Sequence, residues 1–183
     1  MPPPSVYLII DRLEIPAIPP NIKKTVEQFI KVQATCLPSY HVLETHGGWY
    51  YNDGRIASLI GEMKECFYNV YEQLPCQLKP FYGFATMEDY ALPLQHAWLV
   101  DDAGNVVEHT PGWNTPTWYF GIHVPEELVR EVCELSTPAG QDVLFAFQWY
   151  QDKDKFLTVV REANSVNNGL HYEVGAGSRN TET

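Results

Sequence analysis

The chain is poor in positive charge. Its 183 residues include 12 Lys and Arg against 23 Asp and Glu, which gives a formal net charge of −11. Such an acidic protein repels the phosphates of nucleic acids and of anionic membranes, so we expect neither as a partner. Since no apolar run reaches the roughly 20 residues of a membrane-spanning helix, the sequence also predicts no transmembrane segment.

Cysteine is scarce, and its spacing excludes several kinds of site. The chain has no Cys-x-x-Cys pair, no disulfide framework and no basic-then-apolar start of the secretory type. We therefore expect reduced thiols and a cytoplasmic protein, of a cell or of an infected cell. The histidines lack the usual metal-ligand spacing and no phosphate-loop lysine is present, so we expect no metal and no cofactor.

Length and composition predict one folded domain. Hydrophobic residues make up 45% of the chain and charged residues 19%, which is typical of a globular protein that buries a core without disulfides. We place a single α+β domain at residues 1–175, with its core at about 55–135. A disordered tail rich in Gly, Ser, Asn and Thr is predicted to follow at 176–183.

Proline and glycine divide the first half into segments. SVYLII is predicted to be a strand, and a helix from about Ile22 to Leu37 follows, with Asn21 as its cap and Pro38 at its end. YHVLETHGGWYYNDG is predicted to be loop and short strand. A further helix, interrupted near Gly61, is predicted to cover roughly Arg55 to Leu74.

The second half is predicted to begin as a sheet. The predicted strands cover Leu78 to Thr86, Gln95 to Asp101, Asn105 to Thr110 and Thr117 to Val124. Pro125 opens a helix that runs to about Leu135, and residues 139–166 are helical or mixed. A cysteine-bearing helix followed by an antiparallel sheet that carries a histidine and an acid predicts an α+β fold with flanking helices.

One hairpin decides which side chains share a face of the sheet. Strand alternation puts His96 and Trp98 on one face. A three-residue connection ending at Gly104 pairs Trp98 with Glu108 and brings Glu108 one diagonal step from His96. A four-residue connection puts His109 there instead. Gly104 favours the shorter loop, because that loop needs a residue in the left-handed conformation.

Cys66, His96 and Glu108 together have the chemistry of a nucleophilic triad. A thiolate attacks, an imidazole takes up the thiol proton, and a carboxylate orients the imidazole. If Cys66 begins its helix, the helix dipole stabilises the thiolate, whereas Glu62 and Glu65 oppose it if they face the sulfur. The alternative is an inert buried cysteine and a structural histidine.

Aromatic residues are plentiful, with 11 Tyr, 8 Phe and 5 Trp. Trp98 shares the face of His96, and Tyr82 lies on the preceding predicted strand. We interpret Trp98 and Tyr82 as walls of a substrate slot. A packed aromatic core is the alternative for the same residues.

Four segments, ECFYNV, FYGFA, HAWLVDDAGNVVEHT and YFGIHVP, resemble a group of small uncharacterised bacterial and phage proteins. That group is similar in turn to the transglutaminase-like, papain-type cysteine enzymes. The match covers about Gly61 to Pro125, roughly a third of the chain. The resemblance implies a nucleophile that begins a helix packed on an antiparallel sheet, with the base and the acid on adjacent strands.

The resemblance also implies roles for single residues. Cys66 matches the nucleophile, His96 the base and Glu108 the acid. Asn69 matches a polar residue one turn after the cysteine, which would support the site or an oxyanion. The chain departs from the group at Glu108, where Asp is usual, and at His109, where Pro is usual.

Two functions follow. The first is a cysteine hydrolase or acyl transferase that acts, without a cofactor, on an amide or ester bond of a peptide, a protein or a small amide. The second is a non-catalytic, phage-like module on the same fold that binds a ligand or inhibits a host factor. The departures at Glu108 and His109 and the acidic Glu62 and Glu65 favour the second.

Overall fold

The structure, a computed structural model, describes residues 15–57, 61–74, 77–87, 92–113, 115, 117–136 and 141–165. The predicted strand SVYLII and the predicted tail at 176–183 lie outside the described residues. Among the described residues, no helix is long and apolar enough to cross a membrane.

The described chain contains six α-helices and five β-strands. The helices are α1 (Pro20–Ala34), α2 (Pro38–His46), α3 (Cys66–Glu72), α4 (Glu126–Ser136), α5 (Val143–Ala146) and α6 (Lys153–Ser165), with a 3₁₀ turn at Phe147–Trp149. The strands are β1 (Gly48–Asn52), β2 (Lys79–Met87), β3 (Leu94–Val100), β4 (Val106–Val107) and β5 (Thr117–His123). The predicted α+β class is confirmed.

The five strands form one antiparallel sheet in the order β1-β5-β2-β3-β4. Strand β5 lies between β1 and β2, so the last strand of the sequence is near the middle of the sheet. A parallel bridge between Ile56 and Glu108 joins the chain after β1 to the chain after β4. The two edges therefore approach each other, and the sheet curls until it is nearly closed.

The two faces of the sheet bury different cores. The helix-covered face contributes Tyr82, Phe84, Ala97, Leu99, Trp118, Phe120 and Ile122 to a core shared with the helices. The inner face, on the inside of the curl, buries a smaller cluster of Phe81, Ala85, Trp98, Val100 and Tyr119. The alternation of side chains along β2, β3 and β5 produces this division.

Gly121, in the middle of the sheet, makes room for Trp98. Gly121 on β5 lies between Gly48 on β1 and Gly83 on β2. A Cβ atom at Gly121 would lie 2.2 Å from Cη2 of Trp98, and one at Gly83 would lie 2.2 Å from the backbone oxygen of Phe120. The indole of Trp98 therefore packs directly on the backbone, where only glycine leaves space.

The first two helices differ from the prediction. Asn21 does not cap α1, which begins at Pro20 and has no side-chain cap. Pro38 does not end α1 but is the first residue of α2, a position where proline loses no helical hydrogen bond. Residues 40–46, predicted to lie outside any helix, belong to α2, because Tyr40 and its apolar neighbours are buried there.

The helix predicted from Arg55 to Leu74 is wrong over most of its described length, since Cys66–Glu72 is the helical part of residues 55–57 and 61–74. Before it, the amide of Gly61 donates a hydrogen bond to the carbonyl of His109 at 2.7 Å. Lys64 then turns the chain with a φ of 67°. The backbone before α3 therefore forms a hydrogen bond with the distant segment around His109 instead of helical hydrogen bonds. Helix propensities of single residues do not reveal such a long-range bond.

The other predicted elements are largely confirmed. Three predicted strands agree with β2, β3 and β5 to within one residue at each end, whereas β4 is only Val106–Val107. The helix after Pro125 is α4, with Glu126 and Glu127 in its first turn. The region predicted to be helical or mixed contains α5, the 3₁₀ turn and α6.

Replacing Gly121 with alanine tests the close approach of Trp98. The new Cβ would meet the indole at 2.2 Å and the carbonyl oxygen of Tyr82 at 2.9 Å. We expect Gly121→Ala to lower the free energy of unfolding by about 2–3 kcal/mol, as overpacking does elsewhere. Urea denaturation measures the change.

Gly48→Ala is the matched control. Gly48 pairs with Gly121 in the same sheet, yet its Cβ would meet nothing closer than 3.5 Å. We expect this variant to change the free energy of unfolding by less than about 1 kcal/mol. Equal losses in the two variants would contradict the packing described here.

Candidate active site

The hairpin between β3 and β4 has the shorter of the two connections considered. Val100 pairs with Val106, and Gly104 closes the loop with a φ of 87°. The predicted register is therefore confirmed. It turns Glu108 to the inner face of the sheet, which also carries His96.

His96 and Glu108 form a buried ion pair. Nε2 of His96 lies 2.8 Å from Oε2 of Glu108, and the two side chains are 1% and 0% exposed. Burial lowers the pKa of His96, but the charge of Glu108 and hydrogen bonds with Cys66 and Glu108 outweigh it and raise this pKa to about 9. Burial likewise raises the pKa of Glu108, but its partners outweigh this and lower it. Both groups are therefore charged at neutral pH.

The carboxylate of Glu108 accepts three hydrogen bonds. Besides His96, the hydroxyl of Tyr119 donates to Oε2 at 3.0 Å, and the amide of Thr110 donates to Oε1 at 2.8 Å. Burial and the charge of Glu108 raise the pKa of Tyr119 well above its ordinary value, so its hydroxyl keeps its proton and remains a donor. These donors replace the water that the buried carboxylate has lost.

Cys66 is the first residue of α3, as expected for a nucleophile at a helix start. The residue is 7% exposed, and its interaction with His96 contributes to the raised pKa of the imidazole. Since Nε2 of His96 is bound to Glu108, Nδ1 is the ring nitrogen left for the sulfur. No side chain caps α3, so the free amides of its first turn lie next to Cys66.

Asn69 fixes the turn that precedes the cysteine. Its Oδ1 accepts from the amide of Glu62 at 2.8 Å, and its Nδ2 donates to the carbonyl of Glu62 at 2.8 Å and to Oγ1 of Thr110 at 3.2 Å. A Cβ atom at Gly61 would lie 2.1 Å from Oδ1 of Asn69, so this turn requires glycine. Both N–H groups of Asn69 are used, which favours the supporting role over the oxyanion role.

Thr110 joins α3, which carries Cys66, to the strand segment that carries Glu108. Its hydroxyl accepts from Asn69 on α3, and its amide donates to Glu108. The chain just before α3 is also tied to this strand by the hydrogen bond from Gly61 to His109. The position of α3 is therefore coupled to the position of the carboxylate through continuous hydrogen bonds.

The two aromatic residues proposed as slot walls lie on opposite faces of the sheet. Trp98 is on the inner face, fully buried, with its ring centroid 6.3 Å from that of His96. Tyr82 pairs with Ala97 rather than with His96 and so belongs to the helix-covered face. The half-buried Trp113 is closer to the site, with its ring centroid 4.2 Å from that of His96.

Sequence reasoning did not assign Thr110, Tyr119 or Trp113 to the site. The sequence could have assigned Thr110 to the site, because this residue lies two positions after Glu108 and so on the same side of an extended chain. Tyr119 could not be assigned from the sequence, since its approach to Glu108 depends on the position of β5 within the sheet, which local patterns do not specify.

The other histidines do not join the site. His109 bonds through Nδ1 to the carbonyl of Val107, and His123 bonds through Nδ1 to the carbonyl of Pro80. Within the described ranges, no group of three or more His, Cys, Asp or Glu side chains is arranged to hold a metal ion.

The ion pair makes stability depend on pH. The pKa of His96 rises on folding from its ordinary 6.5 to about 9. Its contribution to the free energy of unfolding is therefore complete below pH 6.5 and is lost as the pH rises through 9. The pKa of Glu108 falls below its ordinary 4.5, so its contribution is lost only at lower pH. We expect Glu108→Gln to cost about 3 kcal/mol at pH 6 and much less at pH 9.5, measured by urea denaturation.

Asp142→Asn provides the control for this experiment. Burial raises the pKa of Asp142 from 3.8 to about 6, so its replacement changes the pH dependence mainly between these values. A cost of Glu108→Gln that is constant from pH 6 to pH 9.5, or that grows, would contradict a charged His96.

No protein-family model matches the chain, and no curated protein and no solved structure matches it either. The function is therefore inferred from the geometry of the site.

Proposed function

We propose that this protein is a cysteine-dependent hydrolase or acyl transferase in which Cys66 is the nucleophile, His96 the acid and base, and Glu108 the orienting group. One observation carries the proposal. An imidazole from β3 bonds through Nε2 to a carboxylate that follows β4, and a thiol at the start of α3 is among the groups that raise its pKa. A structural histidine needs one partner, whereas this one joins a potential nucleophile to an acid.

The charges suit attack by sulfur on a carbonyl. An imidazolium beside the sulfur favours the thiolate, which is the attacking form of cysteine. A bond forms between sulfur and the carbonyl carbon, and the carbonyl electron pair moves to oxygen. When this intermediate collapses, the bond to the leaving amine or alcohol breaks and His96 gives that group its proton. The acyl group then remains on Cys66 as a thioester.

The second half of the reaction reverses the direction of the proton. Water or an amine attacks the thioester carbon, and His96 accepts the proton that the attacking group loses. The bond to sulfur then breaks and the thiolate is restored. Glu108 stays ionised throughout and holds Nε2 of His96, so that Nδ1 remains directed to the reacting groups.

The arrangement supports the relationship to transglutaminase-like, papain-type enzymes. In both, the cysteine begins a helix beside an antiparallel sheet, and the base and acid follow one another on that sheet. Glu108 replaces the usual Asp, and its longer arm still reaches His96 at 2.8 Å. The carboxylate is anchored by Thr110 and Tyr119, which offsets the freedom of the extra methylene.

The small exposure of Cys66 bears on the substrate. Because only 7% of the residue is accessible, a substrate that reaches the sulfur must be slender, such as an extended peptide, a glutamine side chain or a small amide. The half-buried ring of Trp113 lies over His96 and would border such a group. Ester and amide bonds at the end of a narrow acyl chain are therefore the candidate substrates.

A second candidate is a non-catalytic binding module on the same fold, of the kind that a phage uses to sequester a ligand or inhibit a host factor. The same 7% exposure favours it, because a sulfur so enclosed is also typical of an inert cysteine. Reactivity of the thiol separates the two candidates.

Alkylation of the native protein tests the nucleophile. Cys66 and Cys133 are almost equally enclosed, at 7% and 8% exposure, so burial alone predicts similar rates. Burial raises the pKa of Cys133 to about 11, with no histidine among its causes. At pH 7 we expect iodoacetamide to modify Cys66 at least about tenfold faster than Cys133, as measured by mass spectrometry of peptides.

His96→Gln is the control for this difference. It should slow the modification of Cys66 and leave that of Cys133 unchanged. Similar rates for both cysteines in the native protein would favour the binding module.

Trapping of an acyl group tests the reaction itself. The protein is mixed with an activated ester of a small straight-chain acid, and the intact mass is followed with time. We expect one acyl group to appear on Cys66 and to be removed faster when an amine is added. Cys66→Ala should abolish the adduct, and Glu108→Gln should slow its formation roughly 10- to 1,000-fold, as loss of an orienting group does in other triads. Adducts that persist in Cys66→Ala would contradict the proposal.

A further inference from the structure

Tyr119 shares one oxygen of Glu108 with His96. The hydroxyl of Tyr119 lies 3.0 Å from Oε2 of Glu108, and Nε2 of His96 lies 2.8 Å from the same atom. Tyr119 is fully buried on β5, two strands away from β3. The reaction described above gives this hydroxyl no task, although it touches the carboxylate on which the reaction depends.

The packing around Tyr119 fixes its hydroxyl in place. Its ring centroid lies 4.9 Å from that of Trp98 and 5.8 Å from that of His96. Burial raises the pKa of Tyr119 most strongly, and the nearby side chains of Asn52 and Thr117 only partly offset it. Because the phenol keeps its proton, it remains a donor to Glu108 throughout the working pH range.

We propose that Tyr119 is a positioning residue for His96. Its hydroxyl donates a hydrogen bond to Oε2 of Glu108 and so limits how tightly this carboxylate holds the imidazolium. The proposal rests on the proposed function, in which His96 must both give up and regain a proton. A carboxylate oxygen that already accepts one hydrogen bond attracts a second donor less strongly. Without the hydroxyl of Tyr119, Oε2 of Glu108 would accept a hydrogen bond from His96 alone. The carboxylate would then stabilise the imidazolium more strongly, and His96 would release its proton less readily.

The surroundings of His96 contain few other groups able to produce such an effect. Among the described residues, Glu108 after β4, Cys66 on α3 and the hydroxyl of Tyr119 on β5 are the titratable groups that face it. The other rings in contact with it, Trp98 and Trp113, carry no charge. A change in the titration of His96 can therefore be traced to one of these three groups.

The test is an NMR titration of the His96 ring in the native protein and in Tyr119→Phe. We expect the midpoint for His96 to move up by about half a pH unit in the variant, because Glu108 then holds the imidazolium more tightly. The midpoints of His109 and His123, which do not bond to Glu108, should not move.

Tyr40→Phe is the matched control. The hydroxyl of Tyr40 donates to Oδ2 of Asp142 at 3.0 Å, and Tyr40 is 1% exposed. Tyr40→Phe thus removes an equally buried bond between a phenol and a carboxylate, on the opposite face of β3 from His96, together with the bond that Gln95 donates to the same hydroxyl at 2.7 Å. We expect it to reduce stability about as much as Tyr119→Phe and to leave the titration of His96 unchanged. An unchanged midpoint in Tyr119→Phe, or equal shifts in both variants, would overturn the proposal.

A fluorinated tyrosine at position 119 covers the case in which Tyr119→Phe does not fold. It keeps the ring and makes the hydroxyl a stronger donor, so the midpoint of His96 should move down, and an unchanged midpoint would overturn the proposal. These titrations need no substrate. Failure of Cys66 to form an acyl adduct would therefore defeat the proposed function without altering their outcome.

Discussion

The buried ion pair between His96 and Glu108 is the constraint on which the rest of the site depends. Two charges with 1% and 0% exposure are stable only if nearly every hydrogen-bonding position around them is filled. The amide of Thr110 and the hydroxyl of Tyr119 fill positions on the carboxylate, and Cys66 helps to raise the pKa of the imidazole. A slip of the β3–β4 hairpin by one residue would turn the carboxylate to the other face and leave the imidazole buried without its partner.

The remainder of the fold holds these groups in register. Gly121 leaves room for the indole of Trp98, and Gly83 lets the backbones of β2 and β5 approach closely. On the same inner face, Tyr119 of β5 reaches Glu108 after β4. On the other side, Asn69 fastens the turn before Cys66 and reaches Thr110. The turn before Cys66 and the carboxylate of Glu108, which are far apart in sequence, are therefore linked through hydrogen bonds that do not involve solvent-exposed side chains.

The parts of this arrangement that the sequence predicts are the local ones. Alternation along β3 and the left-handed Gly104 suffice to bring Glu108 to His96, because a hairpin relates residues close in sequence. The break before Cys66 is also a local feature, because Gly61 by itself interrupts the helical pattern. Tyr119 and Tyr82 are different: their faces and neighbours depend on β5 lying between β1 and β2, a long-range pairing with no local signal. The helix that begins at Pro38 was missed because proline both ends and begins helices.

The most direct test of the account is the protonation state of His96 at neutral pH. The nitrogen chemical shifts of its ring, measured by NMR at pH 7.5 in the protein without substrate, distinguish an imidazolium from either neutral tautomer. Because the pKa of His96 is raised to about 9 by Glu108 and Cys66 against the effect of burial, the account predicts that both ring nitrogens carry protons. Shifts typical of a neutral imidazole would contradict it, since the site would then have no ion pair.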